Sequence, residues 1–268
     1  MNLFFRKYGD GFPLIILHGL FGSSDNWVTI AKRLSDRFSV ILPDQRNHGL
    51  SPGSSIHNYD ALSDDIYELA NSLRLEKIFL AGHSMGGKCA VSFALKWPEM
   101  LQGLLVADIS PFISEKEHHD ESRQHIEILN TIISTDLSKL HTRTEIEASI
   151  SGKITSDRIR GLIMKNIQRN SDNSFSWRIN APVLLKNLGH MMESVEIPDN
   201  SGVPLTGFPV IFLRGLNSDY LPLSDFARIR RIFPAAEFID VPDSGHWVHI
   251  DNPEAVIEGF LRLLRIAS

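Results

Sequence analysis

Residues Ile78–Cys89 read IFLAGHSMGGKC, and two chemistries compete for them. Gly82, Gly87 and Lys88 fit the phosphate-binding pattern G-x-x-x-x-G-K. Gly82-His83-Ser84-Met85-Gly86 fits G-x-S-x-G, a turn that presents a nucleophilic serine. Both patterns sit between a strand and a helix, so local secondary structure does not separate them. The residue after the lysine does. A phosphate loop needs a hydroxyl there to ligate magnesium, and this chain has Cys89. Asp108, at a later strand end, offers the acidic partner of such a metal site, but nothing replaces the missing hydroxyl.

The serine reading makes its own demands, and they are met in other parts of the chain. A sharp strand-to-helix turn needs small neighbours, which Gly82, Gly86 and Gly87 supply. The oxyanion of acyl transfer needs two backbone N–H donors. Met85, the residue after the serine, gives one at the start of a helix whose dipole favours negative charge. The early strand-end loop in LIILHGLFGSSDNW gives the other, from Leu20 or its neighbour Phe21. A general base must follow later in the chain. AEFIDVPDSGHWVHIDNPE places His246 in a small-residue turn after the last strand. His249, three residues on, falls on the following helix and reads as a capping or packing residue.

Short apolar runs frame these turns: LFFRKY, PLIILHG, SVILPDQ, KIFLAGHS, GLLVADIS, PVIFLRG and AEFIDVP. They are nearly continuous, as in strands covered on both faces, and helical patterns separate them, including Asn58–Leu73 and Gly87–Trp97. Strand alternating with helix predicts an α/β architecture with a mostly parallel sheet flanked by helices. The alternation stops after Pro111. From Ser114 to Asn180 the pattern is helical and polar-rich with no strand, and PVIFLRG then resumes the sheet. The organisation expected is a core of residues 1–113 and 181–268 with a helical cap, 114–180, inserted between two late strands.

Composition agrees with one large core and a smaller lobe, at 43% hydrophobic and 22% charged residues. A formal charge of −5 points to no nucleic-acid partner. Cys89, the single cysteine, excludes a disulfide framework and a thiolate metal cluster. MNLFFRKYGDG reads as a strand rather than a secretion signal, and no apolar run approaches the roughly 20 residues of a membrane span. A soluble, cytoplasmic protein is the expectation.

LIILHG, DQRNHGLS, GHSMGGK and SGHWVHIDNP together resemble the α/β-hydrolase superfamily, and are especially similar to its YbfF-type esterases and their mitochondrial relatives. The resemblance runs from Pro13 to Leu264 and is weakest across the cap. Seven strands are counted where the family usually has eight, because only one precedes the His-Gly strand.

The acid that orients His246 has two candidates. The usual superfamily position, past Gly215, falls on Ser218 with Asp219 beside it. A second position, at the end of LLVADIS, offers Asp108. Both strand ends open onto one crevice. The rigid exit Ile-Ser-Pro favours Asp108. The resemblance points the same way, with Ser218 joining the hydrogen-bond network and Asp219 as the fallback.

The resulting expectation is a serine hydrolase of carboxylic esters or thioesters with the triad Ser84, His246 and Asp108, using no metal or organic cofactor. The resemblance implies short- to medium-chain acyl esters, with acyl-CoA thioesters as a further class. Phe21 and Trp177 are the residues expected to line an acyl pocket. Carbon–carbon hydrolysis, acyl transfer and a non-catalytic ligand receptor stay open as alternatives. Dehalogenase and epoxide-hydrolase chemistry is disfavoured, since it needs an aspartate where Ser84 stands.

The remaining polar residues read as structural. His18 and His83 are hydrogen-bonded neighbours of the centre, Asp44, Arg46 and His48 brace the turn near the elbow, and Lys88 ties its helix to a nearby loop. His118, His119 and His125 lack the i, i+4 spacing of a helical zinc site and read as a solvated cap helix. Oligomeric state is not encoded in these patterns.

Overall fold

The computed structural model describes residues 1–113, 115–197 and 204–267, with the side chains of 115–121 not included. Ser114, the expected start of the cap, and the side chains of His118 and His119 therefore lie outside the described residues.

The chain opens with β1 (Phe5–Tyr8), β2 (Phe12–Leu17), α1 (Val28–Leu34), β3 (Phe38–Pro43) and α2 (Tyr59–Ser72). The Asn58 side chain starts α2 by accepting from the N–H of Ala61. Then come β4 (Ile78–His83), α3 (Met85–Lys96) and β5 (Leu101–Ala107). These strands and two later ones form a single seven-stranded sheet, order β1-β3-β2-β4-β5-β8-β9, in which β8 is Val210–Gly215 and β9 is Glu237–Val241. Every pairing is parallel except that of β1 with β3.

The strands are apolar on both faces because both faces are covered. Ile15, Leu17, Leu80, Leu104, Val106 and Phe212 point into one hydrophobic layer, which includes residues of α2 and α3. Their neighbours Leu14, Ile16, Phe79, Leu105, Ile211 and Leu213 point into the other, with Trp27, Ile30, Leu34 and Phe260. This period of two is the strand pleat read through a double-sided core.

Between β5 and β8 lie α4 (Glu115–Ser134), α5 (Arg143–Ser151), α6 (Asp157–Met164), β6 (Ile167–Arg169), β7 (Phe175–Trp177), α7 (Ala181–Lys186) and α8 (Leu188–Met192). The expectation of helix alone fails here, since β6 and β7 pair as a short antiparallel hairpin. Alternation over three residues is too brief to register against a helical background. Helices α7 and α8, which the boundary at Asn180 assigns to the core, pack against α4. The segment is pinned to the rest of the molecule by polar contacts. Asn166 Nδ2 donates to Phe21 O at 2.9 Å, Asn180 N to Asn47 O at 2.9 Å, and Lys88 Nζ to Glu193 O at 2.8 Å. Helices α9 (Phe226–Ile232), α10 (Val248–Asp251) and α11 (Pro253–Ala267) complete the chain. Among the described residues no helix is long and apolar enough to cross a membrane.

Candidate active site

Ser84 sits between the C-terminal end of β4 and the first residue of α3, at φ 54° and ψ −124°. A non-glycine residue holds such a conformation only where its surroundings enforce it. Here Ser84 N donates to Ala107 O at 3.2 Å, while Gly87 N and Lys88 N donate to Ser84 O at 2.8 and 3.1 Å. The glycines allow the close approach. A Cβ at Gly86 would lie 2.5 Å from Leu17 O, and one at Gly82 would strike the Gly86 carbonyl. Met85 begins α3, so its N–H has no acceptor within the helix.

His246 follows β9, and its Nδ1 lies 2.9 Å from Asp108 Oδ2. Asp108 closes β5 at φ 49° and is fully buried. Its own N–H donates to Leu213 O at 2.8 Å. Its Oδ1 accepts from Gly215 N at 2.7 Å, and its Oδ2 accepts the Ser218 hydroxyl. A carboxylate with these donors holds the His246 proton on Nδ1 and leaves Nε2 as the basic nitrogen. Asp219, next to Ser218, is exposed. Burial pushes Asp108 up to about 6, against the opposing hydrogen bonds of Ser218 and Gly215. Burial, assisted by nearby His125, lowers His246 to about 3, against the pull of Asp108. At neutral pH the pair is thus carboxylate and neutral imidazole.

The neighbouring histidines hold this geometry. His83 donates its Nε2–H to His246 O at 2.7 Å, and Tyr220 stacks on the His246 ring with centroids 3.6 Å apart. Gln45 N donates to His18 Nε2 at 3.0 Å, which leaves His18 Nδ1–H to donate to Gly19 O at 2.9 Å. Gln45 Nε2 donates to His18 O at 2.6 Å. The loop after β3 therefore supports the His18–Leu20 turn more directly than the elbow. Asp44 accepts from Ser24 N at 2.6 Å and Leu50 N at 2.8 Å. Arg46 makes a buried ion pair with Asp65 on α2 at 2.6 Å, and His48 Nδ1 donates to Arg46 O at 2.9 Å. His249 is buried and stacks on Trp27 at 4.5 Å. Cys89 is fully buried, which pushes its thiol well above the ordinary value.

Ser84 and His246 open into a cavity of about 280 Å³ that Leu20, Phe21, Ile128, Ile159 and Leu162 also line. Trp177, expected in the acyl pocket, is not among the lining residues. It stands on β7 opposite Ile167 and packs against the hydrophobic layer of the α2–α3 side. The tryptophans in the lining are Trp27 and Trp247. His125 departs from the solvated helix expected of it. It lines the cavity, with its ring centroid 5.6 Å from that of Phe21. The sequence carries a signal for this: His125 shares the apolar stripe of Ile128, Leu129 and Ile132, at spacings of three, four and seven. Among the described residues no group of three or more His, Cys, Asp or Glu side chains could hold a metal ion.

A family model described as the alpha/beta hydrolase fold matches residues 13–253. The sn-1-specific diacylglycerol lipase ABHD11 of Danio rerio is 33% identical, over 97% of this chain and 81% of its own. Esterase YbfF of Escherichia coli strain K12 is 30% identical, over 94% of this chain and 92% of its own. Among solved structures, a marine microorganism esterase superposes with a TM-score of 0.92 at 40% identity, covering 97% of this chain and 98% of that one. The chain belongs to the α/β-hydrolase superfamily, in its branch of YbfF-type esterases.

Proposed function

We propose that the chain hydrolyses carboxylic esters of short to medium acyl groups through a covalent acyl–Ser84 intermediate. The observation that carries this reading is the 2.9 Å contact of His246 Nδ1 with buried Asp108, beside a strained Ser84 in the same cavity. His246 Nε2 takes the Ser84 hydroxyl proton as Oγ attacks the acyl carbon. The N–H groups of Met85 and Leu20 hold the oxyanion. As the tetrahedral adduct collapses, its bond to the alcohol breaks and His246 protonates the leaving oxygen. Water, deprotonated by His246, then attacks the acyl–Ser84 ester, releases the acid and restores the serine. Asp108 fixes the imidazole tautomer and stabilises its charged form.

The diacylglycerol lipases among the relatives make oxygen esters the first substrate class, and acyl-CoA thioesters are the second. A cavity of about 280 Å³ lies at the lower end of the roughly 300–1,000 Å³ usual for small-molecule sites. Each buried methylene adds about 0.8 kcal/mol of binding until the space is filled. A hydrolysis panel crossing acyl length with alcohol and CoA leaving groups tests the reading. Rates should rise and then fall, with the optimum at or below medium chains. A preference that keeps climbing into long-chain acyl groups would contradict it.

A further inference from the structure

Helix α4 brings two polar side chains to the Ser84 cavity, exposed Gln124 and half-buried His125. His125 lies on the apolar face of that helix, one turn before Ile128, and its ring rests against Phe21. Phe21 follows Leu20, so His125 leans on the turn that carries the second oxyanion donor. Its Nδ1 is buried and has no hydrogen-bond partner among the described residues. One helical turn earlier, the Ser122 hydroxyl is also buried without a partner. Buried polar atoms left unpaired destabilise a fold, so the few that persist call for a reason. Ser122 is not among the residues lining the cavity, but His125 is, and a partner can reach it there with the substrate.

The lining residues limit what that partner is. Besides Ser84, the polar groups there are histidines, Asn26, Gln124, Tyr220 and tryptophan N–H groups. Among the described lining residues none is Asp, Glu, Lys or Arg, so those residues bring no formal charge to match an ionised substrate group. Burial also keeps His125 neutral, its imidazole lowered to about 4. A neutral imidazole in neutral surroundings pairs best with an uncharged group that both donates and accepts, and a hydroxyl does so.

We propose that His125 is a specificity-determining residue that hydrogen-bonds a hydroxyl of the substrate, so that hydroxylated esters are selected over esters of the same size without one. This rests on the ester-hydrolase reading of Ser84 and names a feature of the substrate that the reading leaves open.

Two matched pairs test it and distinguish the side of the ester concerned. 2-Hydroxyethyl butyrate against propyl butyrate places the hydroxyl on the alcohol, and ethyl 3-hydroxybutyrate against ethyl 3-methylbutyrate places it on the acyl group. The wild type should favour the hydroxylated member of one pair by roughly five- to tenfold in kcat/KM, the share of one neutral hydrogen bond. The advantage should lie in KM. His125→Leu should bring that ratio close to one, and His125→Asn, which keeps a donor and an acceptor, should retain part of it. A wild-type ratio near one in both pairs overturns the proposal even if neither variant folds. An unchanged ratio in His125→Leu overturns it as well. Absence of turnover on all four esters would instead refute the hydrolase reading beneath it.

Discussion

Two carboxylates near His246 differ sharply in surroundings. Asp108 is buried and accepts from His246, Gly215 and Ser218, whereas Asp219 is exposed to solvent. Asp108→Asn keeps the shape but presents an amide N–H to Nδ1, which favours the wrong tautomer. Its turnover number should fall by up to about 10⁴-fold, while Asp219→Asn should lose little. The reverse pattern would place the acid after β8. The titration of the same pair sets a pH dependence. In the proposed mechanism the base acts unprotonated, and burial holds His246 below its ordinary value of 6.5 while Asp108 is raised to about 6. Protons therefore enter the pair below the usual histidine range, with an apparent pKa that belongs to both groups. kcat/KM should stay level above neutrality and fall as pH drops through about 6. An acid limb centred a unit or more higher would contradict this electrostatic picture. Ser84 and His246 are legible in the sequence because each lies in a local motif. Asp108 is harder to read. Choosing it over Asp219 depends on two strand ends that meet only through the pairing of β5 with β8.

At the level of elements, the elbow works because β2, β4 and α3 approach more closely than side chains allow. Gly86→Ala would set a methyl group 2.5 Å from Leu17 O, a backbone atom that cannot swing aside. The variant should lose about 1–3 kcal/mol of stability, visible as a melting point several degrees lower. A wild-type melting point would show that the turn relaxes at no cost. Core strands and helices are legible because their apolar periods repeat over several turns. The segment between β5 and β8 is read less well for a physical reason. Its hairpin offers three residues per strand, and the placement of half-buried Trp177 and His125 follows from how the elements pack on one another. Periodicity along one element cannot report that packing, although the stripe shared by His125, Ile128, Leu129 and Ile132 marks which face of α4 turns inward.

Across the whole molecule, the parallel sheet gathers the C-terminal ends of β4, β5, β8 and β9, and these supply Ser84, Asp108, Ser218 and His246. Catalytic groups of a parallel sheet collect at that edge because the loops leaving it converge on one crevice. Helices α4 and α6 cover the crevice with Ile128, Ile159 and Leu162, leaving the cavity proposed to take the acyl group. The most direct test is to quench the reaction with a p-nitrophenyl ester in its first turnovers and measure the mass of the chain and its peptides. One acyl group per chain should appear on the peptide that contains Ser84. Ser84→Ala should carry none and should keep only about 10³- to 10⁴-fold catalysis over water. An acyl group on another residue, or wild-type turnover in Ser84→Ala, would contradict the serine mechanism.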